Sequence, residues 1–425
     1  MEINEATRQF IREHTNDDVR LLALQAHALS EVDLPFALDQ IRGRQIARRK
    51  LPTWAAIDDI LYPPHLSMEQ CSSEQTARYK AQIAARLFAS KGEGSLLVDL
   101  TGGFGVDFVF MQEFFNKAIY VEQNPQLFAI SSENFASLGL QVKTINADSV
   151  EVLQTLPRAS LLYLDPARRN DYGGRTYGIA DCTPNVLELR DELLDKADYV
   201  LLKLSPMLDW RKAVGDLGTN CVSEVHIVSV QNECKELLLL LQKPNNLLHD
   251  YSSLTLFCVN DQQVFSVVAE KMEVWGSAGV ESFATPKVGQ YLYEPNASLM
   301  KAGCFGALCE QFGFAPVGPN SHLFVQSDKA TKLQNNEEAK TPSTDVQGFP
   351  GRKFQILAIS SMNKRSLRQH LGGITQANIA TRNFPMKPEE LRRRLKLRDG
   401  GDTYIFGTTL ADGSHVILVC KKVVE

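Results

Sequence analysis

The sequence is short of the features that mark several protein classes. Its longest purely aliphatic run is Leu237–Leu241, against the ~20 residues a membrane helix needs. The first residues carry charges throughout and no apolar core, so no secretory leader is expected. The eight cysteines stand singly, with no CxxC pair, and the nearest two, Cys304 and Cys309, have a poor spacing for zinc. Neither a metal site nor a disulfide framework is expected. Free thiols fit a cytoplasmic location. A Walker phosphate loop and internal repeats are also missing.

What is present places the chain among globular proteins. Its length predicts about two to four domains. Hydrophobic residues at 44% and charged ones at 22% suffice for packed cores. The charge is unevenly spread. Residues 351–400 hold twelve Lys/Arg against three Asp/Glu, in a chain whose net charge is -5. A smaller basic cluster comprises Arg42, Arg44, Arg48, Arg49 and Lys50. Local clusters of this kind suit phosphate groups whatever the overall balance.

Residues 1–90 read as helical. Val19, Leu22, Ala26 and Leu29 recur at helical spacing. Ser72, with Gln75 three residues on, forms a capping box for a helix running through Leu87. From Leu96 the texture alternates. Strands are expected at Leu96–Leu100, Ala118–Val121, Val142–Ile145, Leu161–Leu164 and Tyr199–Leu204, with helices at Phe108–Phe115, Leu127–Leu138 and Glu188–Ala197. Alternation predicts a parallel sheet covered on both faces. It closes with a hairpin, Val222–Val230 and Glu236–Gln242, whose last strand is antiparallel to its neighbour. Leu254–Val259 and Val264–Glu270 form a further strand pair. The polar stretch from Ser327 to Val346 reads as a flexible insertion. The last 75 residues follow a β-α-β-α-β-β pattern, with the second helix, Pro388–Leu395, opening on proline.

The informative stretch is Val98–Asp107, VDLTGGFGVD. Glycines between a strand and a helix let the backbone approach a ligand at a helix N-terminus, or serve a plain tight turn. Acids then end successive strands: Asp99, Glu122, Asp148 just past the third, and Asp165. Ligands of open α/β sheets sit outside the carboxyl ends of the strands, so these four carboxylates are expected around one crevice. Their charge disfavours a pyrophosphate. The dinucleotide fingerprint is also incomplete, because Phe108 stands at its third glycine. S-adenosylmethionine (SAM) brings no phosphate. It offers ribose hydroxyls, an adenine amine, an ammonium and a sulfonium, all suited to acids.

On these residues the segment 96–242 resembles a class I SAM-dependent methyltransferase. That family's first loop reads Asp-x-Gly-x-Gly-x-Gly. This chain has Asp99, Thr101, Gly103 and Gly105 there, with threonine replacing the first glycine. The resemblance implies a cofactor site lined by Asp99, Thr101, Gly102, Gly103, Gly105, Asp107, Glu122, Gln123, Asp148 and Asp165. Glu122 would take the ribose hydroxyls and Asp148 the adenine amine. Asp165-Pro166-Ala167-Arg168-Arg169 resembles the Asp-Pro-Pro-aromatic motif of amino-methyltransferases, whose first residue helps hold a target amine. Ala167 and Arg168 stand where a proline and the stacking ring would be. Asp165, Pro166, Arg168 and Lys203 are the expected catalytic residues, with Asp165 orienting the nucleophile or taking its proton. Lys203 fits either a polar crevice rim or a snorkelling strand end. Arg168 and Arg169 suit a phosphate, or are simply solvated.

The chain as a whole is similar to bacterial methyltransferases with a THUMP-like C-terminal domain. The residues that carry this are Glu69–Glu74 with Thr76, Ala77, Tyr79 and Lys80; Asp165–Arg169; Lys203–Asp209; Glu233–Glu236; Tyr293–Asn296 with Lys301–Gly303; and Arg382–Pro385. The implied fold is α/β: a Rossmann-like class I methyltransferase sheet ending in an antiparallel hairpin, an N-terminal helical region, and C-terminal α+β domains, ferredoxin-like and THUMP-like. The implied divisions are 1–90 helical, 91–245 SAM-binding, 246–326 ferredoxin-like, 327–350 insertion and 351–425 THUMP-like. The expected activity is in-line methyl transfer to RNA, tRNA or rRNA, with Arg169, Arg392, Arg393 and Arg394 on the RNA. The basic helix reads equally as a solvated face. Methylation of a protein or small molecule, or SAM or RNA binding without catalysis, are the competing readings.

Overall fold

The computed structural model describes residues 3–25, 31–88, 94–168, 178–244, 253–270, 282–327 and 348–423. The chain divides into two compact units: Met1–Val230 with Lys235–Leu254, and Gln231–Cys234 with Thr255–Glu425.

Strands of the first unit are β1 (Leu96–Asp99), β2 (Lys117–Val121), β3 (Lys143–Ile145), β4 (Ala159–Leu164), β5 (Ala167–Arg168), β6 (Cys182–Thr183), β7 (Ala197–Leu204), β8 (Val222–Val230) and β9 (Glu233–Leu241). Its sheet runs in the order β8-β9-β7-β4-β1-β2-β3. β1 lies parallel to β2 and β4, β2 to β3, and β4 to β7. β9 runs antiparallel to β7, with Leu238 opposite Lys203. The chain leaves β1 in one direction for β2 and β3 and in the other for β4, which places the switch point between β1 and β4.

Alternation along each strand splits the sheet into two apolar faces. Leu97, Tyr120, Leu161, Tyr163 and Leu201 enter a core with Trp54, Tyr62, Ala77, Ala84 and Phe108. Their neighbours Val98, Val121, Leu162, Val200 and Leu202 are buried as well. Two covered faces explain why these strands are continuous apolar runs. The helices Leu34–Lys50 and Glu74–Phe88 add Ala47 and Ala77 to the first core, so the N-terminal region packs together with the sheet.

Two sequence expectations change here. The helix Glu74–Phe88 is capped by Ser73, whose Oγ accepts from the Thr76 amide at 3.2 Å. The Ser72 hydroxyl instead donates to the Asp107 carboxylate at 2.7 Å, a charge-assisted bond that wins over a helix cap. Three of the five basic residues at 42–50 are engaged within the fold. Arg44 donates to Asp58 at 3.0 Å, Arg48 to Asn16 at 2.6 Å, and Lys50 to the Met68 and Glu69 carbonyls at 3.0 and 2.6 Å.

The second unit contains β10 (Ser253–Asn260), β11 (Gln263–Glu270), β12 (Tyr291–Pro295), β13 (Phe314–Pro316), β14 (Phe324–Gln326), β15 (Gly351–Ser361), β16 (Asn378–Arg382), β17 (Thr403–Thr409) and β18 (His415–Lys422). Seven of these form a sheet of order β13-β14-β12-β15-β18-β17-β16. The β-α-β-α-β-β expectation appears as β15, the helix Lys364–Leu371, β16, the helix Pro388–Leu395, β17 and β18. Both helices sink leucines, Leu371 and Leu391, into one core with Ile405, Ile417 and Val419. They therefore share one face of the sheet. The other face buries Leu292, Phe354, Ile356, Phe406 and Leu418. Most of the expected insertion lies outside the described residues. Among the described residues, no helix is long and apolar enough to cross a membrane, and no group of His, Cys, Asp and Glu could hold a metal.

Candidate active site

The loop after β1 is held by its neighbours. A Cβ on Gly102 would stand 2.0 Å from the Tyr120 ring, and one on Gly105, at φ 81°, would stand 2.8 Å from Phe135. Packing thus demands these two glycines. Gly103 differs: at φ 55° its nearest neighbour would be the Thr101 carbonyl at 3.8 Å. Glycine there provides a left-handed turn and open space beside the backbone. The Ser131 and Tyr120 hydroxyls both donate to the Gly103 carbonyl.

The acids sit at the carboxyl ends of the strands. Asp99 is 1% exposed and accepts the Thr101 amide at 3.0 Å. Burial pushes its carboxyl well above the usual range, and Asp107, Asp165 and Glu122 add to that. Glu122 is fixed at both oxygens, accepting from the Gly103 amide at 2.7 Å and the Asn124 amide at 2.6 Å. Each oxygen keeps a lone pair for a ribose hydroxyl. Gln123 is exposed beside it. Asp148 is exposed and caps the helix Ser149–Thr155 through Oδ1 alone, at 2.8 Å from the Val150 amide. Open space at Gly103, a pre-aimed Glu122 and crowded carboxylates suit a cationic nucleoside without phosphate.

Asp165 is gripped from two sides. Its amide donates to Thr101 Oγ1 at 2.6 Å, so the threonine that departs from the family loop ties that loop to the end of β4. Its Oδ2 lies 2.6 Å from Lys203 Nζ. Burial raises the Asp165 carboxyl, while Lys203 opposes the rise. Burial alone would lower the Lys203 ammonium, but Asp165, Glu236 and Asp107 outweigh it and keep it protonated. Lys203 points inward and does not snorkel. Pro166 is buried, and Ala167 and Arg168 form β5, paired antiparallel with β6. Arg169 lies outside the described residues.

Four residues to which sequence reasoning gave no part in the site join this cluster: Ser72, Lys80, Tyr163 and Glu236. Lys80, fully enclosed, meets Asp107 Oδ1 at 3.1 Å and Glu236 Oε2 at 2.5 Å. Ser72 donates to Asp107, and Tyr163 donates to the same oxygen at 2.6 Å. The Asp107 carboxylate is thereby taken up by Ser72, Tyr163 and Lys80. A signal existed: Lys80 lies among Thr76, Ala77, Ala81 and Ala84 on the buried face of its helix. Of the basic helix, Arg392 is paired with Asp399 at 2.5 Å, and Arg393 and Arg394 are exposed.

A parallel sheet closed by an antiparallel hairpin, with this glycine loop and these strand-end acids, defines a class I SAM-dependent methyltransferase. Comparison with known proteins agrees. A family described as THUMP domain-like matches residues 351–422, and one described as a ferredoxin-like domain matches residues 291–332. The chain is similar to the crystal structure of a candidate methyltransferase from Porphyromonas gingivalis W83, with 31% identity, 100% of both chains covered and a TM-score of 0.79. It is 23% identical over 360 residues to an uncharacterized SAM-dependent methyltransferase of Mycobacterium tuberculosis H37Rv, covering 84% of this chain and 87% of that one. The chain belongs to the SAM-dependent methyltransferases that carry ferredoxin-like and THUMP-like domains. SAM is its cofactor.

Proposed function

We propose that this methyltransferase acts on RNA by direct in-line transfer, with cofactor binding in 91–245 and RNA docking in 351–425. When bound, SAM supplies an already activated methyl group, so the protein's work is positioning and desolvation. Gly103 and Glu122 hold the nucleoside end, and Asp148 receives the adenine amine. Asp165 orients the nucleophile, with Thr101 and Lys203 fixing its backbone and side chain.

One observation carries the RNA assignment. The helices Lys364–Leu371 and Pro388–Leu395 share a core, and their exposed residues include Lys364, Arg365, Arg368, Arg393 and Arg394. Such a surface suits a phosphate backbone without reading sequence, and it lies within the region matched by the THUMP domain-like family. The test is incubation of the purified protein with methyl-labelled SAM and total RNA from a strain lacking the gene. Label in RNA is expected. Label confined to protein or small molecules, or no turnover at all, would reject the assignment.

A further inference from the structure

We propose that the acceptor facing Asp165 and Lys203 is a hydroxyl oxygen, the ribose 2′-hydroxyl of an RNA chain, and that Lys80 and Glu236 are positioning residues for it. The proposal rests on the reading of this protein as an RNA methyltransferase.

The geometry is that of a two-lysine cluster. Lys203 Nζ lies 2.6 Å from Asp165 Oδ2 and 3.2 Å from Ser72 Oγ. An ammonium has three donors, which leaves one for the acceptor. The Lys203 side chain is 11% exposed and that of Asp165 39%, whereas Lys80 is at 0% and Glu236 at 4%. The first pair is reachable from outside, and the second lies behind it. Ser72 joins the layers, 3.3 Å from Lys80 Nζ and 3.2 Å from Glu236 Oε1. Two buried ammonium groups carry a heavy desolvation cost, and apolar residues would serve a purely structural core at least as well.

Charge decides which nucleophile fits. A neutral amine that takes a methyl group from a sulfonium becomes positive, and a neighbouring ammonium opposes that change. A hydroxyl must instead lose its proton, and the same ammonium steadies the oxygen as negative charge develops. Asp165 with Lys203 therefore suits oxygen better than the amine its sequence motif suggests. Ala167 and Arg168 stand where the amine motif carries its proline and stacking ring, and a ribose acceptor needs no such ring. RNA carries such a hydroxyl on its sugar. In the step, the acceptor's O–H bond breaks and its proton passes to Asp165. The carbon–oxygen bond forms as the methyl–sulfur bond breaks, and that electron pair stays on sulfur. Lys203 keeps its proton throughout, and Asp165 returns the acquired proton to water.

The experiment uses the full chain, methyl-labelled SAM and total RNA from a strain lacking the gene, followed by alkaline hydrolysis of the RNA. Alkali cleaves through the 2′-hydroxyl, so a ribose-methylated position survives as a dinucleotide. Label in alkali-stable dinucleotides is expected. Label in mononucleotides overturns the hydroxyl assignment and leaves RNA methylation standing. No label in RNA overturns both.

Lys203→Met should lower transfer about 10²–10³-fold, with SAM affinity by calorimetry within about twofold. Transfer at the parental rate overturns the role of Lys203. Lys80 and Glu236 are tested through Glu236→Gln, which keeps the side-chain volume. Asp165 is faced by Lys203, Asp107, Glu236, Asp99 and Tyr163. Glu236 is among the groups that raise its carboxyl, so the acid limb of the pH–rate profile should move to lower pH. A uniformly slower enzyme with an unmoved limb assigns the inner pair to structure alone and overturns the positioning role.

Discussion

Thr101 shows how one side chain couples two loops. Its hydroxyl accepts the amide of Asp165, so the loop after β1 and the end of β4 move together. Thr101→Val keeps the shape and leaves that amide unpaired, at a cost of about 1–3 kcal/mol. The loss should appear in kcat more than in the KM for SAM, and Thr101→Ser should restore it. Steady-state kinetics on labelled RNA reads both. Asp165→Ala should abolish turnover while calorimetry finds SAM affinity nearly unchanged. Lys203 sets the working pH of that carboxyl as well. Burial raises it and Lys203 opposes the rise. Lys203→Met should therefore move the acid limb of any residual activity to higher pH, opposite in sign to the Glu236→Gln shift.

Between elements, the helix Glu74–Phe88 is joined to β8 by a polar link centred on a buried histidine. His226, 1% exposed, takes the Tyr79 hydroxyl at Nδ1, 2.9 Å away, and Glu224 at Nε2, 3.0 Å away, and Arg86 donates to Glu224 at 2.8 Å. Burial would raise Glu224, but His226 and Arg86 hold it down at about 2, from an ordinary 4.5. A depressed carboxyl contributes stability that is present above its unfolded value and lost as pH falls toward its folded one. Burial lowers His226 from its ordinary 6.5, so protonation of the unfolded chain below that pH also weakens the fold. The contribution of this link to the melting temperature should be lost from pH 6.5 downward, so below pH 4.5 Glu224→Gln should change less with pH than the parent does. Scanning calorimetry across that range tests it. The elements themselves were readable because strands buried on both faces are unbroken apolar runs between glycines and acids. The cluster was legible only in part: Asp107 and Lys203 were expected at the site, whereas Ser72, Lys80 and Glu236 come from segments that meet them only in the fold. The capping pattern also misled, because Ser72 and Ser73 are adjacent and only burial distinguishes a cap from a partner of Asp107.

At the scale of the whole molecule, a net charge of -5 coexists with a basic surface on the two helices of the C-terminal region. The overall sign opposes RNA binding and the local sign favours it. Ionic strength separates these contributions, because phosphate contacts release counterions while a field averaged over the chain is screened. Affinity for RNA should therefore fall steeply with salt, each contact adding about 0.7–0.9 to the slope of log affinity against log salt. Arg393 and Arg394 are exposed, whereas Arg392 is tied to Asp399. The double change Arg393→Glu, Arg394→Glu should weaken RNA binding across sequences and make that slope shallower by about 1–2, leaving SAM affinity untouched. Fluorescence anisotropy on labelled RNA at several salt concentrations measures the slope, with calorimetry for SAM as the control. If the slope of the variant equals that of the parent, the helix face is merely solvated and RNA docks elsewhere.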